Sequence, residues 1–278
     1  MRGWQRILLL IFPYFLVVGI FQLVGVLIAG VDYSNVEAVK TSQQHVIVAF
    51  FTFFGTFALL WFFMKYVDEE KFVNLGFQIK NRIKDINLGV ILGLVIMGAG
   101  LLILISLNQV QFIKFNVSVI DITLAILVYI FVAFTEEALF RGYILRNFMG
   151  SFNNYVAIIA SSVLFAVAHG FNPNMDWFSY LNLFLAGILL GATYIYTKNL
   201  WFPIALHFSW NFFQTLFGFN VSGQQFYSLI EFKITDKNML NGGDFGFEGS
   251  IFSIAAQVLL IASVFVYYER IKPKKIQI

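Results

Sequence analysis

Six polar residues lie inside hydrophobic stretches of this chain, where a purely structural role does not explain all of them. They are Glu136, Glu137, Arg141, His169, His207 and Asn211. Each charge at the middle of a membrane costs about 2.5–3.5 kcal/mol to insert, so a chain that keeps several has a reason to do so. A carboxylate and a histidine can activate water, and imidazole or amide N–H groups can stabilise an oxyanion. These residue types could support hydrolysis by an activated water molecule, and the same carboxylates and histidines could also serve as a proton relay.

The spacing of the first three residues predicts different roles for the two glutamates. Glu137 and Arg141 are four residues apart, so a helix places them on one face as an ion pair that holds the local geometry. Glu136 is rotated about 100° from Glu137 and is left free to face a cavity. A structural salt bridge alone is the alternative, but it leaves one glutamate without a partner.

The three histidines of the chain lie in different settings. His169 ends a hydrophobic run, and His207 lies inside another with Asn211 four residues later on the same helical face. His45 follows Ser42-Gln43-Gln44 at the edge of a run. We expect His45 to be a solvated interfacial residue and the other two histidines to face the site.

Composition identifies the class of protein that must position these residues. The 278 residues are 59% hydrophobic and 12% charged, with a mean hydropathy of +0.80. Soluble domains carry about 25% charged residues, so this is a polytopic membrane protein. Its basic residues are separated by apolar runs and form no nucleic-acid-binding face. It has no cysteine, which excludes disulfides and a thiol nucleophile.

Eight apolar runs predict an all-α transmembrane helix bundle with a polar catalytic cavity inside it. The runs are about 7–28, 46–64, 88–107, 122–145, 155–169, 177–196, 202–217 and 251–268. The fifth and seventh are short, so we expect them to be partly buried in protein. We predict one integral membrane domain over residues 1–278, with a catalytic core at 122–217 and an irregular outer loop at 218–250.

The distribution of basic residues predicts the orientation of the bundle. Thirteen lysines and arginines fall at the two termini and the loops on their side, and four fall on the opposite side. By the positive-inside rule both termini are cytoplasmic. We expect the cavity to open to the cytoplasm. The composition, with 35 phenylalanines and no cysteine, is typical of a low-GC bacterium and suggests the bacterial cytoplasmic membrane.

Three motifs on separate runs resemble a known family. They are Glu136-Glu137-x-x-x-Arg141, Phe165-x-x-x-His169 and His207-x-x-x-Asn211. Their order and spacing resemble the CPBP family of CAAX-processing and bacteriocin-processing intramembrane endopeptidases, also called the Abi family, over about 122–217. The resemblance implies that Glu136 is the general base and is assisted by His169. It implies that His207 and Asn211 stabilise the oxyanion, that Glu137 and Arg141 support the first motif, and that the substrate is a peptide or protein at the membrane lipid.

The chemistry leaves a metal open as an alternative. Glu136, His169 and His207 could together hold a catalytic zinc ion with one open position. The chain has no HExxH motif, and the glutamate–histidine mechanism accounts for the same residues without a cofactor. We therefore predict a metal-independent reaction, with zinc as the alternative.

Two other functions use the same residues. A proton-coupled transporter could use the carboxylates and histidines as a relay. However, the chain shows no internal repeat or pair of half-helices of the kind found in many carriers. A non-catalytic membrane partner, such as a bacteriocin immunity protein, could keep the fold without the reaction. The complete set of motif residues favours the peptidase over both.

Overall fold

The computed structural model describes residues 1–31 and 40–271, and eight apolar helices form its body. Two short strands lie between the third and fourth helices and between the seventh and eighth. The elements are α1 (Gly3–Ala29), α2 (Ser42–Tyr66), α3 (Ile83–Ser106), β1 (Val110–Phe115), α4 (Val119–Glu137), α5 (Asn154–Ala168), α6 (Trp177–Thr197), α7 (Trp201–Leu216), β2 (Ile230–Ile234) and α8 (Ile251–Val266). This confirms the predicted all-α helix bundle, and the eight helices correspond to the eight predicted apolar runs.

Hydropathy and length explain why these segments are helices that cross a membrane. In lipid every backbone N–H and C=O must be satisfied within the protein, and a helix does this inside a single segment. Among the described residues, six helices are long and apolar enough to span the membrane: α1, α2, α3, α6, α8 and α4 with its continuation to Met149. The chain is therefore an integral membrane protein.

The two short helices differ in their surroundings. Twelve of the sixteen residues of α7 are buried, so this helix lies inside the protein as its length predicts. Helix α5 buries one side only, and its opposite side exposes Val156, Ile159, Val163 and Val167. These exposed apolar residues belong against lipid.

Close contacts between helices depend on small residues. In α3, Gly93 lies against Ser209 of α7, and a Cβ at Gly93 would approach the Ser209 Oγ to 2.1 Å. In α6, Gly187 belongs to the G-x-x-x-G pattern, and a Cβ there would lie 2.7 Å from the Cβ of Ser162 in α5. Glycine is required at both contacts because a side chain would separate the helices.

Helix α4 changes its geometry directly after the two glutamates. Residues Ala138–Leu145 form a π-helix, and Arg146–Met149 then complete the span as an α-helical turn. All eight π-helical residues are buried. The widened turn leaves the carbonyl of Phe140 to accept a hydrogen bond from the Ser161 hydroxyl at 3.1 Å. Segments of this kind are frequent at functional sites, and this one carries Arg141.

The outer loop, residues 218–250, is more regular than the sequence indicated. Strand β2 within it pairs antiparallel with β1, and Phe112 lies opposite Phe232. Strand β2 alternates apolar and polar residues, and β1 does so except at Phe112-Ile113, but both strands are short and more than 100 residues apart in sequence. Their pairing had no local signal in the sequence, and the prediction of an irregular loop was wrong for the segment that forms β2.

Candidate active site

The two adjacent glutamates at the end of α4 have different environments. The Glu137 side chain has no solvent exposure, whereas that of Glu136 is 24% exposed and lines a cavity inside the bundle. The difference follows from the rotation of about 100° between consecutive helical residues. Glu136 is thus the carboxylate that can meet a substrate.

Glu137 joins two of the sequence motifs. Its Oε1 accepts a hydrogen bond from the Arg141 guanidinium at 2.8 Å, and the Nδ1 of His207 lies 2.7 Å from the same oxygen. Because a carboxylate only accepts, Nδ1 of His207 carries a proton and donates it to Glu137. Glu137 therefore fixes the orientation of the His207 ring as well as pairing with Arg141.

Arg141 is almost fully buried and is held from three sides. Besides its ion pair with Glu137, it donates to the carbonyl of Gly187 in α6 at 3.3 Å. Its guanidinium carbon lies 4.4 Å from the centre of the Phe165 ring in α5. These contacts tie α4 to α5 and α6, so the ion pair also fixes the relative positions of three helices that carry or support the site.

His169 caps the carboxyl end of α5. Its Nδ1 lies 2.8 Å from the carbonyl of Phe165, and since a carbonyl only accepts, Nδ1 is the donor. Its ring also packs against the Phe165 ring, with centroids 4.5 Å apart. Phe165 therefore supports His169 on one side and Arg141 on the other. The Nε2 of His169 is directed towards Glu136 and lies 3.5 Å from its Oε2.

His207 and Asn211 approach the same place from α7. The Nε2 of His207 is 3.9 Å from the Oε2 of Glu136, and both His207 and Asn211 line the cavity. Asn211 is 5% exposed, and its side-chain amide makes no hydrogen bond to the described part of the chain. That amide is therefore available to a ligand in the cavity.

The three motifs thus converge on the Oε2 atom of Glu136. This atom is buried and makes no hydrogen bond within residues 1–31 and 40–271. Both histidines present Nε2 to it, because their Nδ1 protons are already engaged by Glu137 and by the Phe165 carbonyl. The two Nε2 atoms and the Oε2 of Glu136 would otherwise face one another with lone pairs only. A proton shared among them, or held by one imidazole, is therefore needed. The arrangement is suited to accepting and passing on a proton.

The cavity has a volume of about 720 Å³ and is lined from one end of the bundle to the other. Ile7, Leu10 and Ile144 line the end that the sequence places towards the cytoplasm. The polar lining is concentrated near the opposite end, where Lys40, His45, Asn172, Ser222, Gln224, Gln225 and Glu248 lie. The polar part of the wall therefore leads towards the outer loop, whereas the sequence predicted an opening to the cytoplasm.

Two residues that the sequence did not assign to the site lie in the cavity wall. His45 packs its ring edge-on against Phe226 of the outer loop, 5.0 Å between centroids, instead of standing in solvent. Glu248, which precedes α8, accepts hydrogen bonds on Oε2 from the backbone N–H and the hydroxyl of Ser222. Burial raises the pKa of Glu248, and the bonds from Ser222 oppose that rise. The sequence contains no signal for this role of Glu248 beyond the presence of a glutamate in a polar loop.

The residues do not fit a zinc ion as they are placed. Three tetrahedral zinc ligands at about 2.0–2.2 Å from the metal lie about 3.4 Å from one another. The distance from Glu136 to the Nε2 of His207 is 3.9 Å. In the described ranges, no group of three or more His, Cys, Asp or Glu side chains is arranged to hold a metal ion. No step proposed below runs through a metal.

Comparison with known proteins locates a family over the same segment. The family model described as type II CAAX prenyl endopeptidase Rce1-like matches residues 118–213. Residues 118–213 belong to the CPBP family. The match covers all three motifs and confirms the resemblance drawn from them. No curated protein and no solved structure matches the chain.

The match to the type II CAAX prenyl endopeptidase family over residues 118–213 supports a membrane peptidase. The matched segment begins just before α4 and ends within α7, so it contains Glu136, His169 and Asn211 but not the outer loop. Helices α1, α2 and α8 and the outer loop lie outside the matched segment and complete the cavity wall.

Proposed function

We propose that this protein is an intramembrane endopeptidase that hydrolyses a peptide bond of a membrane-associated peptide or protein. The observation that carries the proposal is the convergence of two histidine Nε2 atoms, at 3.5 and 3.9 Å, on the cavity-facing carboxylate of Glu136. Lipid and a peptide or protein chain are its expected partners. Thirteen basic residues lie on the side of the two termini and four lie on the opposite side, which supports a bundle with both termini in the cytoplasm.

In the proposed reaction Glu136 acts as the general base. A water molecule held against Glu136 in the cavity transfers one proton to the carboxylate as its oxygen bonds to the carbonyl carbon of the substrate. The carbonyl π-electrons move onto the carbonyl oxygen, which becomes an oxyanion. His169 lies next to Glu136 and assists by relaying the proton to the amide nitrogen, so that the C–N bond breaks and an acid and an amine are released.

His207 and Asn211 are proposed to stabilise the oxyanion. The Asn211 amide is unengaged and can donate an N–H into the cavity. His207 donates from Nδ1 to Glu137, and in its doubly protonated form it also donates from Nε2 into the cavity. Donors held in place before the reaction are effective because they need no reorganisation as charge develops. The Glu137–Arg141 pair supplies this fixed orientation without touching the substrate.

Peptide cleavage by the purified chain in nanodiscs tests the proposal. We expect the wild type to cleave and Glu136→Gln to lose at least about 100-fold in rate, because the amide keeps the shape but cannot accept a proton. Glu231→Gln is a matched control, since Glu231 pairs with Lys114 outside the cavity. Equal cleavage by wild type and Glu136→Gln would refute the assigned base. Binding without cleavage would favour the non-catalytic alternative.

A further inference from the structure

The outer loop places a second carboxylate in the wall of the catalytic cavity. Among the described residues that line this cavity, Glu136 and Glu248 are the two acidic ones. Glu248 follows the last motif by 37 positions in the chain and lies outside the segment that matches the family. It is close enough to His169 and His207 to interact electrostatically with both. A substrate bound at Glu136 therefore lies in the field of Glu248.

The backbone around Glu248 is built to hold its side chain. Ser222 adopts a left-handed conformation with φ of 49°, which is uncommon for a residue other than glycine. This conformation lets both its N–H and its hydroxyl donate to the Oε2 of Glu248, at 2.8 and 2.9 Å. The next residue, Gly223, packs so closely that a Cβ would lie 2.0 Å from the carbonyl oxygen of Pro173.

The loop that carries this pair is tied to the catalytic helices. The Gln214 amide of α7 donates to the carbonyl of Asn220 at 2.6 Å. The Asn174 amide, five residues after His169, donates to the carbonyl of Gly223 at 3.2 Å. Glu248 is therefore fixed relative to both His169 and α7, as a group that recognises a substrate must be.

The second oxygen of Glu248 is not used within the protein. Both hydrogen bonds to the carboxylate go to Oε2, and Oε1 has no partner in the part of the chain that the structure describes. A partly dehydrated carboxylate with an open oxygen gains most from a cation, because charge-assisted hydrogen bonds are about twice as strong as neutral ones. His169 and His207, the two histidines of the motifs, have Glu136 and Glu137 as their ion-pair partners among the described residues, not Glu248.

We infer that Glu248 is a specificity-determining residue that binds a cationic group of the substrate, an ammonium or a guanidinium, beside the peptide bond to be cleaved. The inference rests on the proposed peptidase function. A lysine or arginine side chain and a free α-amino group carry the same chemistry, so either can be the group recognised. The polar lining around Ser222 gives the charged part of the substrate a path that avoids the apolar end of the cavity.

A binding experiment separates this inference from the catalytic proposal. The full chain with Glu136→Gln is placed in nanodiscs, so that no cleavage is needed for a readout. The probes are fluorescent neutral peptides in which one norleucine is replaced by lysine at successive positions, each with a free or an acetylated amino terminus. We expect the best lysine peptide, or the free-amine peptide, to bind at least about tenfold more tightly than its neutral twin.

The variants decide whether Glu248 causes that preference. Adding Glu248→Gln is expected to abolish it, because Gln still accepts from Ser222 but has no charge. Adding Glu231→Gln, on the same loop and outside the cavity, is expected to keep it. Equal affinity of all twins, a preference that survives Glu248→Gln, or an equal loss for charged and neutral peptides would each overturn the inference. A Glu248-dependent preference in a chain whose wild type cleaves nothing would uphold the site and refute the peptidase proposal.

Discussion

The same substitution at two neighbouring positions should affect the stability of the protein very differently. Glu137 and Arg141 are 0% and 1% exposed, so Glu137→Gln leaves a guanidinium buried without a counter-charge. Breaking a buried pair by removing one partner costs about 3–5 kcal/mol. Glu136→Gln removes a carboxylate that is 24% exposed. Among the described residues, its neighbours within ion-pair distance are the imidazoles of His169 and His207. We expect this substitution to change the free energy of unfolding by less than about 1 kcal/mol.

Thermal denaturation and peptide cleavage, measured on both variants in the same detergent, test this difference. Glu137→Gln should lower the denaturation temperature by about 10 °C and also lower the cleavage rate, because His207 loses its orienting carboxylate. Glu136→Gln should abolish cleavage at a nearly unchanged denaturation temperature.

A double variant checks that the cost comes from the unpaired charge. Glu137→Gln with Arg141→Met removes both ions and fills the space with a flexible apolar side chain, so it should be more stable than Glu137→Gln alone. If Glu136→Gln is destabilised as much as Glu137→Gln, or if the double variant is the least stable of all, the division of roles between the two glutamates is wrong.

Three further predictions concern the oxyanion site, the metal and the orientation. Asn211→Ala should lower kcat by about 100-fold to 1,000-fold in the cleavage assay, with Asn74→Ala as an exposed control; an unchanged kcat would remove Asn211 from the oxyanion site. Dialysis against a chelator should leave cleavage unchanged, whereas loss of activity that zinc restores would establish a metal enzyme. Because the chain has no cysteine, Asp236→Cys and Gln78→Cys can report topology: an impermeant maleimide on intact cells should label only Asp236→Cys, and the reverse result would overturn the cytoplasmic placement of the termini.

Much of the helical architecture follows from the sequence, because lipid imposes strong local rules. A run of about 20 apolar residues in a membrane has to satisfy its own backbone, so length and hydropathy predict a helix. The ion pair of Glu137 with Arg141 is likewise local, since four residues make slightly more than one helical turn. The π-helix after Glu137 was not predictable from its own sequence. Within it, the carbonyl of Phe140 accepts a hydrogen bond from the Ser161 hydroxyl, which lies on another helix.

For the candidate site as well, some features follow from the sequence and others depend on the tertiary structure. The sequence by itself determined which residues could do chemistry and which of them share a helical face, as with His207 and Asn211. Only the tertiary structure decided that Glu137 orients His207, that Phe165 supports both Arg141 and His169, and that His45 and Glu248 belong to the cavity wall. Periodicity fixes the direction of a side chain within its own helix, whereas contacts between distant segments depend on how helices pack, and that packing is set by the shapes of all the side chains together.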